Sequence, residues 1–317
     1  MRPRLKISRG VGLKKEIQMK TGRIWRLLIC GVVWLPSVAM AQIRPTFLPP
    51  PVLAEPVPIS DAEARRKIRP VSLRKIILVG DSTVQVASGW GGAFCADHVT
   101  TYVACVNMGR GGRSTLSYRA EGSWAYALAE AKTPGYAQVY VIIQFGHNDQ
   151  PGKPGHSTDI DTEFSQNLRQ YVRDAREAGA IPVLVTPLAR RAFVEGALQD
   201  TLLPWADKIR AVAGEMDAPL IDLHASSVAW VQALGPVDSL ELSQQKPSAE
   251  VIAAAKSGTS IGAFRPGVTE TAVTQQALQS VKFDYTHLGA KGAAVFAHQV
   301  AEGLLTVAPD LRNQVKP

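Results

Sequence analysis

The chain alternates between short, unbroken apolar runs and longer stretches with helical periodicity. The apolar runs stand at 75–79, 102–107, 138–144, 181–186 and 219–222, each rich in Val, Ile or Leu and each closed by a polar or glycine-bearing turn. A strand with one wet face alternates apolar and polar residues. Short runs without that alternation suit strands covered on both faces, as in a parallel sheet. Between them, 160–178 (closed by Gly179) and 205–216 carry amphipathic helical patterns, and 289–305 does so through Ala293, Val295, Phe296, Val300 and Leu304. Strands and helices in turn predict an α/β domain of three layers, α/β/α, whose ligands sit beyond the carboxyl ends of the strands. The stretch 235–282 is long and of mixed character, and it reads as an insertion near that end.

Four polar motifs fall where those ends are expected. The first run leads into Gly80-Asp81-Ser82-Thr83, which projects a serine into the crevice; alone, the same pattern serves as a helix cap. The second ends in Asn107-Met108-Gly109-Arg110-Gly111-Gly112-Arg113-Ser114, whose glycines let backbone N–H groups approach a ligand. After the third comes Gly146-His147-Asn148-Asp149, where the Asn148 amide faces the crevice or forms an Asx turn. One side-chain N–H with backbone N–H groups is what an oxyanion hole requires. Ahead of the last helix stands Asp284-Tyr285-Thr286-His287, in which a carboxylate three residues before an imidazole can fix its tautomer while the ring takes a serine proton. Each motif alone is weak, and their joint occurrence carries the weight.

The N-terminal segment alters how the charge is read. Residues 2–26 hold nine Lys or Arg and one acid, Glu16, followed by an apolar run over 27–35 and the small-residue pattern Ala39-Met40-Ala41. These are the three parts of a secretory signal peptide with cleavage expected after Ala41, and the apolar run is too short to span a bilayer. Removing this segment removes a net charge of eight, which is the whole excess of the +8 chain. The basic balance therefore belongs to the leader, and no nucleic-acid partner is implied. Residues 42–70, with seven prolines from Ile43 onward, read as an extended linker, and 71–317 as one domain. Cys95 and Cys105 would pair in an oxidising compartment; otherwise they are two buried thiols.

Several chemistries are absent from the sequence. It has no G-x-x-x-x-G-K-[ST] and no H-E-x-x-H, and its histidines lack metal-ligand spacing. The set GDST, NMGRGGRS, FGHND and DYTH, in this order, resembles the SGNH (GDSL-type) hydrolase superfamily. Within it the chain is most similar to the rhamnogalacturonan acetylesterase group, through Thr83 after Gly-Asp-Ser, Gly89-Trp90-Gly91 and the stretch from Thr186 to Phe193. The resemblance runs from Lys75 to about Leu305.

That resemblance implies a flavodoxin-like five-stranded parallel sheet of order 2-1-3-4-5, no cofactor and no metal. It implies Ser82 as nucleophile, and an oxyanion hole from the N–H groups of Ser82 and Gly112 with the Asn148 side chain. His287 would be the general base and Asp284 its orienting partner. Where many members carry Asn, this chain has Tyr285, a change at the rim of the pocket. The implied substrate is an acetylated polysaccharide or oligosaccharide, with no membrane association once the leader is cleaved; oligomeric state is left unspecified. Arg113, Arg190 and Arg191 follow strand ends and would meet an acidic sugar or form surface ion pairs. Trp90 and Trp124 would stack on sugars or fill the core. Other readings on this scaffold are an esterase or lipase for acyl lipids or small esters, a deacetylase of another polysaccharide such as xylan, and a non-catalytic glycan-binding protein.

Overall fold

The structure, a computed structural model, describes residues 71–262 and 283–317. The expected leader (1–41) and linker (42–70) and the 263–282 part of the insertion lie outside the described residues. Five strands form one parallel sheet: β1 (Arg74–Gly80), β2 (Val103–Asn107), β3 (Gln138–Gln144), β4 (Ile181–Val185) and, after a two-stranded hairpin of β5 (Phe193–Val194) and β6 (Ala197–Leu198), β7 (Leu220–Ile221). Their order is β2-β1-β3-β4-β7. With the hairpin set aside, this is the 2-1-3-4-5 order of a doubly wound sheet, whose switch point lies between β1 and β3. These two strands pair in register from Arg74 with Gln138 to Gly80 with Gln144, so the loops that carry Ser82 and Asn148 leave the sheet side by side.

Successive side chains of a strand point to opposite faces, and both faces of β1 are apolar. Ile76 and Leu78 join Tyr140, Ile142, Val183 and Val185 on one side, where Phe296, Val300 and Leu304 of the last helix cover them. Ile77 and Val79 join Val141, Ile143 and Leu184 on the other, against Leu168, Tyr171, Ile209 and Val212. The first cover includes helices α4 (Leu223–Asp238) and α6 (Ala290–Val307), and the second α1 (Ser123–Ala131), α2 (Ser165–Glu177) and α3 (Leu203–Glu215). Residues 76–79 are fully buried, and each contributes about 1.5–3 kcal/mol of hydrophobic stabilisation.

The insertion begins inside α4. At Gly235 the backbone turns to φ 76°, Pro236 follows, and the helix kinks there. A short helix, α5 (Ala249–Lys256), then packs Val251 and Ala255 with Leu240 as a small satellite cluster that Phe283 and Tyr285 join. Cys95 and Cys105 are bonded with Cα atoms 5.5 Å apart, which ties the 94–98 turn to β2. Among the described residues no helix is long and apolar enough to cross a membrane.

Candidate active site

β1 ends on Gly80 because a side chain there would collide with the Gln144 carbonyl of β3 at 2.5 Å. The next three residues turn sharply. One oxygen of Asp81 accepts from the Thr83 N–H (2.8 Å) and from the Thr83 hydroxyl (2.7 Å). Gln144 donates to that same Thr83 hydroxyl, and the Trp90 indole donates to Gln144 at 3.0 Å. A buried chain of hydrogen bonds from Trp90 through Gln144 and Thr83 to Asp81 thus fixes the turn that presents Ser82. Such fully satisfied buried networks make a local geometry rigid.

The other Asp81 oxygen lies 3.5 Å from Nδ1 of His147, and among the described residues neither atom has a hydrogen-bond partner. The far nitrogen of His147 meets the Leu188 carbonyl at 3.1 Å, and so must carry its own hydrogen. Burial opposes charge on both groups. The His147 ring and the Thr83 N–H and hydroxyl nevertheless hold the Asp81 carboxyl below its ordinary value, while burial pushes His147 down.

Asn148 is held from both ends. Its amide N–H donates to the Arg113 carbonyl at 3.0 Å, and its carbonyl oxygen accepts from the Lys153 ammonium at 2.8 Å. An ammonium only donates, so this contact fixes which end of the amide is oxygen. The neighbouring Asp149 carboxylate accepts from the Thr115 N–H (3.0 Å), the Thr115 hydroxyl (2.5 Å) and the Thr158 hydroxyl (3.1 Å), which fastens the loop after β2 to the loop after β3. Burial pushes the Asp149 carboxyl up to about 7 against these donors. Gly112 has φ 78°, a left-handed conformation, and a side chain there would meet nothing within 4 Å. It is the backbone angle and not the space that calls for glycine.

The His287 ring is hydrogen-bonded through Nδ1 to Asp284. The second Asp284 oxygen accepts from the N–H groups of Thr286 (2.8 Å) and His287 (3.0 Å). Burial works against a charged carboxylate, but the bonds from the His287 ring and these two backbone donors outweigh it and hold Asp284 well below the usual range. The same pairing raises His287 above an ordinary histidine, although burial works against it. With Nδ1–H donated to Asp284, Nε2 is left as the ring's acceptor.

Ser82, His147, Asn148, Asp284 and His287 line one cavity of about 670 Å³. Further ties hold its walls together. The Leu288 N–H donates to the Ser88 carbonyl at 2.9 Å, which joins the 284–288 loop to the turn after β1. The Arg191 guanidinium donates to the carbonyls of Thr286 (3.1 Å) and His287 (2.8 Å).

The three arginines read from sequence part company here. Arg113 is paired with Glu121 at 2.8 Å. Arg191 is 1 % exposed, with burial pushing it down to about 10, so it cannot meet a sugar from solvent. Arg190 does line the cavity. Trp90 and Trp124 are buried in the two cores, as their packing reading has it. Gly112 is not among the cavity-lining residues and adjoins Arg113, whose carbonyl holds Asn148. Sequence reasoning missed Lys153 and the buried Asp81–His147 contact. The Pro151-Gly152-Lys153-Pro154 turn after FGHND was the one available signal for the lysine.

Residues 78–295 match the family described as GDSL-like lipase/acylhydrolase. Over 176 residues the chain is 40% identical to "Rhamnogalacturonan acetylesterase RhgT" of Bacillus subtilis (strain 168), covering 53% of this chain and 72% of that protein. Over 162 residues it is 34% identical to "Probable rhamnogalacturonan acetylesterase YesY" of the same organism, covering 49% and 72%. The crystal structure of the Bacillus subtilis protein YxiM superposes with a TM-score of 0.54 at 24% identity, covering 75% of this chain and 58% of that one. At that identity the likeness bears on the fold.

Proposed function

We propose that this chain, which belongs to the GDSL-like lipase/acylhydrolase family and is as such a carboxylic ester hydrolase, removes O-acetyl groups from a pectic cell-wall polysaccharide of the rhamnogalacturonan type. One observation carries the reading: a serine, an oriented Asp–His pair and an anchored amide donor line a single cavity at the carboxyl end of the sheet.

In the proposed cycle the Ser82 oxygen attacks the acetyl carbonyl carbon as His287 Nε2 takes its proton. Asp284 keeps the ring in the required tautomer and stabilises the imidazolium that forms. The carbonyl oxygen becomes an oxyanion facing the Asn148 amide and the Ser82 backbone N–H, with Gly112 on the adjoining loop as the third expected donor. His287 then gives its proton to the departing sugar oxygen as the C–O bond breaks. Water repeats the sequence on the acetyl-serine, releasing acetate and restoring the hydroxyl. The N-terminal leader would carry the enzyme out of the cytoplasm, where polymeric substrates lie.

Acetate release from a panel of acetylated pectins, xylans and mannans tests the substrate class. We expect the rhamnogalacturonan-bearing pectins to rank first. A preference for octanoyl or longer esters over acetyl esters would remove the carbohydrate reading. Ser82→Ala should abolish turnover while leaving the circular dichroism spectrum unchanged, and undiminished turnover in that variant would refute the nucleophile.

A further inference from the structure

Two cations converge on one side of the cavity. The Lys153 ammonium donates to the His147 carbonyl at 2.7 Å and to the Asn148 side-chain oxygen at 2.8 Å. Arg190 reaches that same His147 carbonyl at 3.4 Å and donates to the Thr201 hydroxyl at 2.9 Å. Sharing one acceptor places their nitrogens within about 6 Å of each other, close enough for strong repulsion in a partly buried site. Every one of these acceptors is neutral, and among the described residues neither cation has an ion pair. The nearby acids Asp81, Asp149 and Asp284 attract these cations through space without pairing with them. Asp81 and Asp149 are buried, each with donors of its own, and Asp284 is taken by His287.

Donors remain after these bonds. The ammonium has three hydrogens and two are used, while the guanidinium has five. Both residues line the cavity that holds Ser82 and His287. Arg190 also lines the adjoining cleft of about 890 Å³, together with Gln150, Gln199 and Thr201. The cations therefore stand where a chain of sugars leaving the reaction centre would continue.

The geometry points to a carboxylate subsite made by Lys153 and Arg190, which takes the acid group of a uronic acid unit in the same substrate chain as the acetylated sugar. A carboxylate relieves the repulsion between the two cations and accepts from the planar fork of Arg190 and the third hydrogen of Lys153 together. This rests on the acetylesterase reading and adds to it the substrate charge that is recognised.

Calorimetric titration of the Ser82→Ala protein with unacetylated galacturonate oligomers, against galactose oligomers of equal length, tests the subsite. The acid oligomer should bind at least tenfold more tightly, and raising the salt should shrink that margin. On the same background Arg190→Met should bring the two ligands to within about twofold, and Arg190→Lys should restore part of the preference. Should Arg190→Met fail to fold, Lys153→Gln serves the same comparison. Equal binding of the two oligomers by the Ser82→Ala protein, or a preference that survives the loss of either cation, overturns the proposal. Hydrolysis of p-nitrophenyl acetate by the unmodified protein, measured separately, reports on the acetylesterase reading, so the two failures are distinguishable.

Discussion

The proposed chemistry depends most on single side chains held from more than one direction. Asn148 is the clearest case: Arg113 takes one amide hydrogen and Lys153 fixes the oxygen end, which leaves the second amide hydrogen as the proposed oxyanion donor. Pre-set donors of this kind need no reorganisation as charge develops. Asn148→Ala should therefore lower kcat by roughly a hundredfold with little change in KM, measured on p-nitrophenyl acetate. His287 sets the pH response. It must be neutral to accept a proton, and pairing with Asp284 raises its pKa. Activity should thus fall on the acid side through a midpoint above the ordinary histidine value of about 6.5. Asp284→Asn removes the negative partner, so that midpoint should move to lower pH while kcat falls by orders of magnitude. A kcat/KM profile whose acid limb stays in place in Asp284→Asn would contradict the assignment.

Between elements, the ties are few and specific. Arg191, just before the β5–β6 hairpin, sends its guanidinium to the carbonyls of Thr286 and His287, and its own N–H to Tyr285 at 2.9 Å. Replacing it with Met keeps the stem but leaves buried carbonyls unpaired. The expected cost is about 3 kcal/mol of stability, read from chemical denaturation, with a lower kcat as the His287 loop loosens. This role was not legible in the sequence, because the partners lie 95 and 96 residues further along the chain. The hairpin escaped for another reason: two-residue strands offer no period to read. The boundary of the insertion at Gly235 was legible, because the backbone leaves helical geometry at that glycine and Pro236 starts a separate short helical stretch. So were β1, β3 and β4, because burial on both faces leaves no polar position to interrupt the run.

The described residues fold around one sheet, and the loops of the candidate site all leave it at one end. That much follows from alternating runs and helices, and the GDST, FGHND and DYTH motifs sit at strand ends or just before the last helix, as their order implied. The cavity's electrostatics could not be read in the same way, since Lys153 and Arg190 meet only once β3 and β4 are adjacent. The Cys95–Cys105 bond closes a short loop, with the two cysteines 10 residues apart at the edge strand β2. Replacing both with serine should cost about 2–4 kcal/mol, mostly through a freer unfolded chain. Equilibrium unfolding with and without dithiothreitol checks this: the reductant should shift the wild-type midpoint and leave that of the double variant unchanged.

The bond from Leu288 to the Ser88 carbonyl has a temporal side. It fastens one of the last loops to be synthesised onto one of the first turns, so the proposed nucleophile and its base cannot meet until nearly the whole domain has been made and has closed upon itself. A polypeptide still leaving the ribosome, or threaded unfolded through an export channel, would carry every catalytic side chain and yet be chemically silent. Deacetylation would begin only where folding is completed.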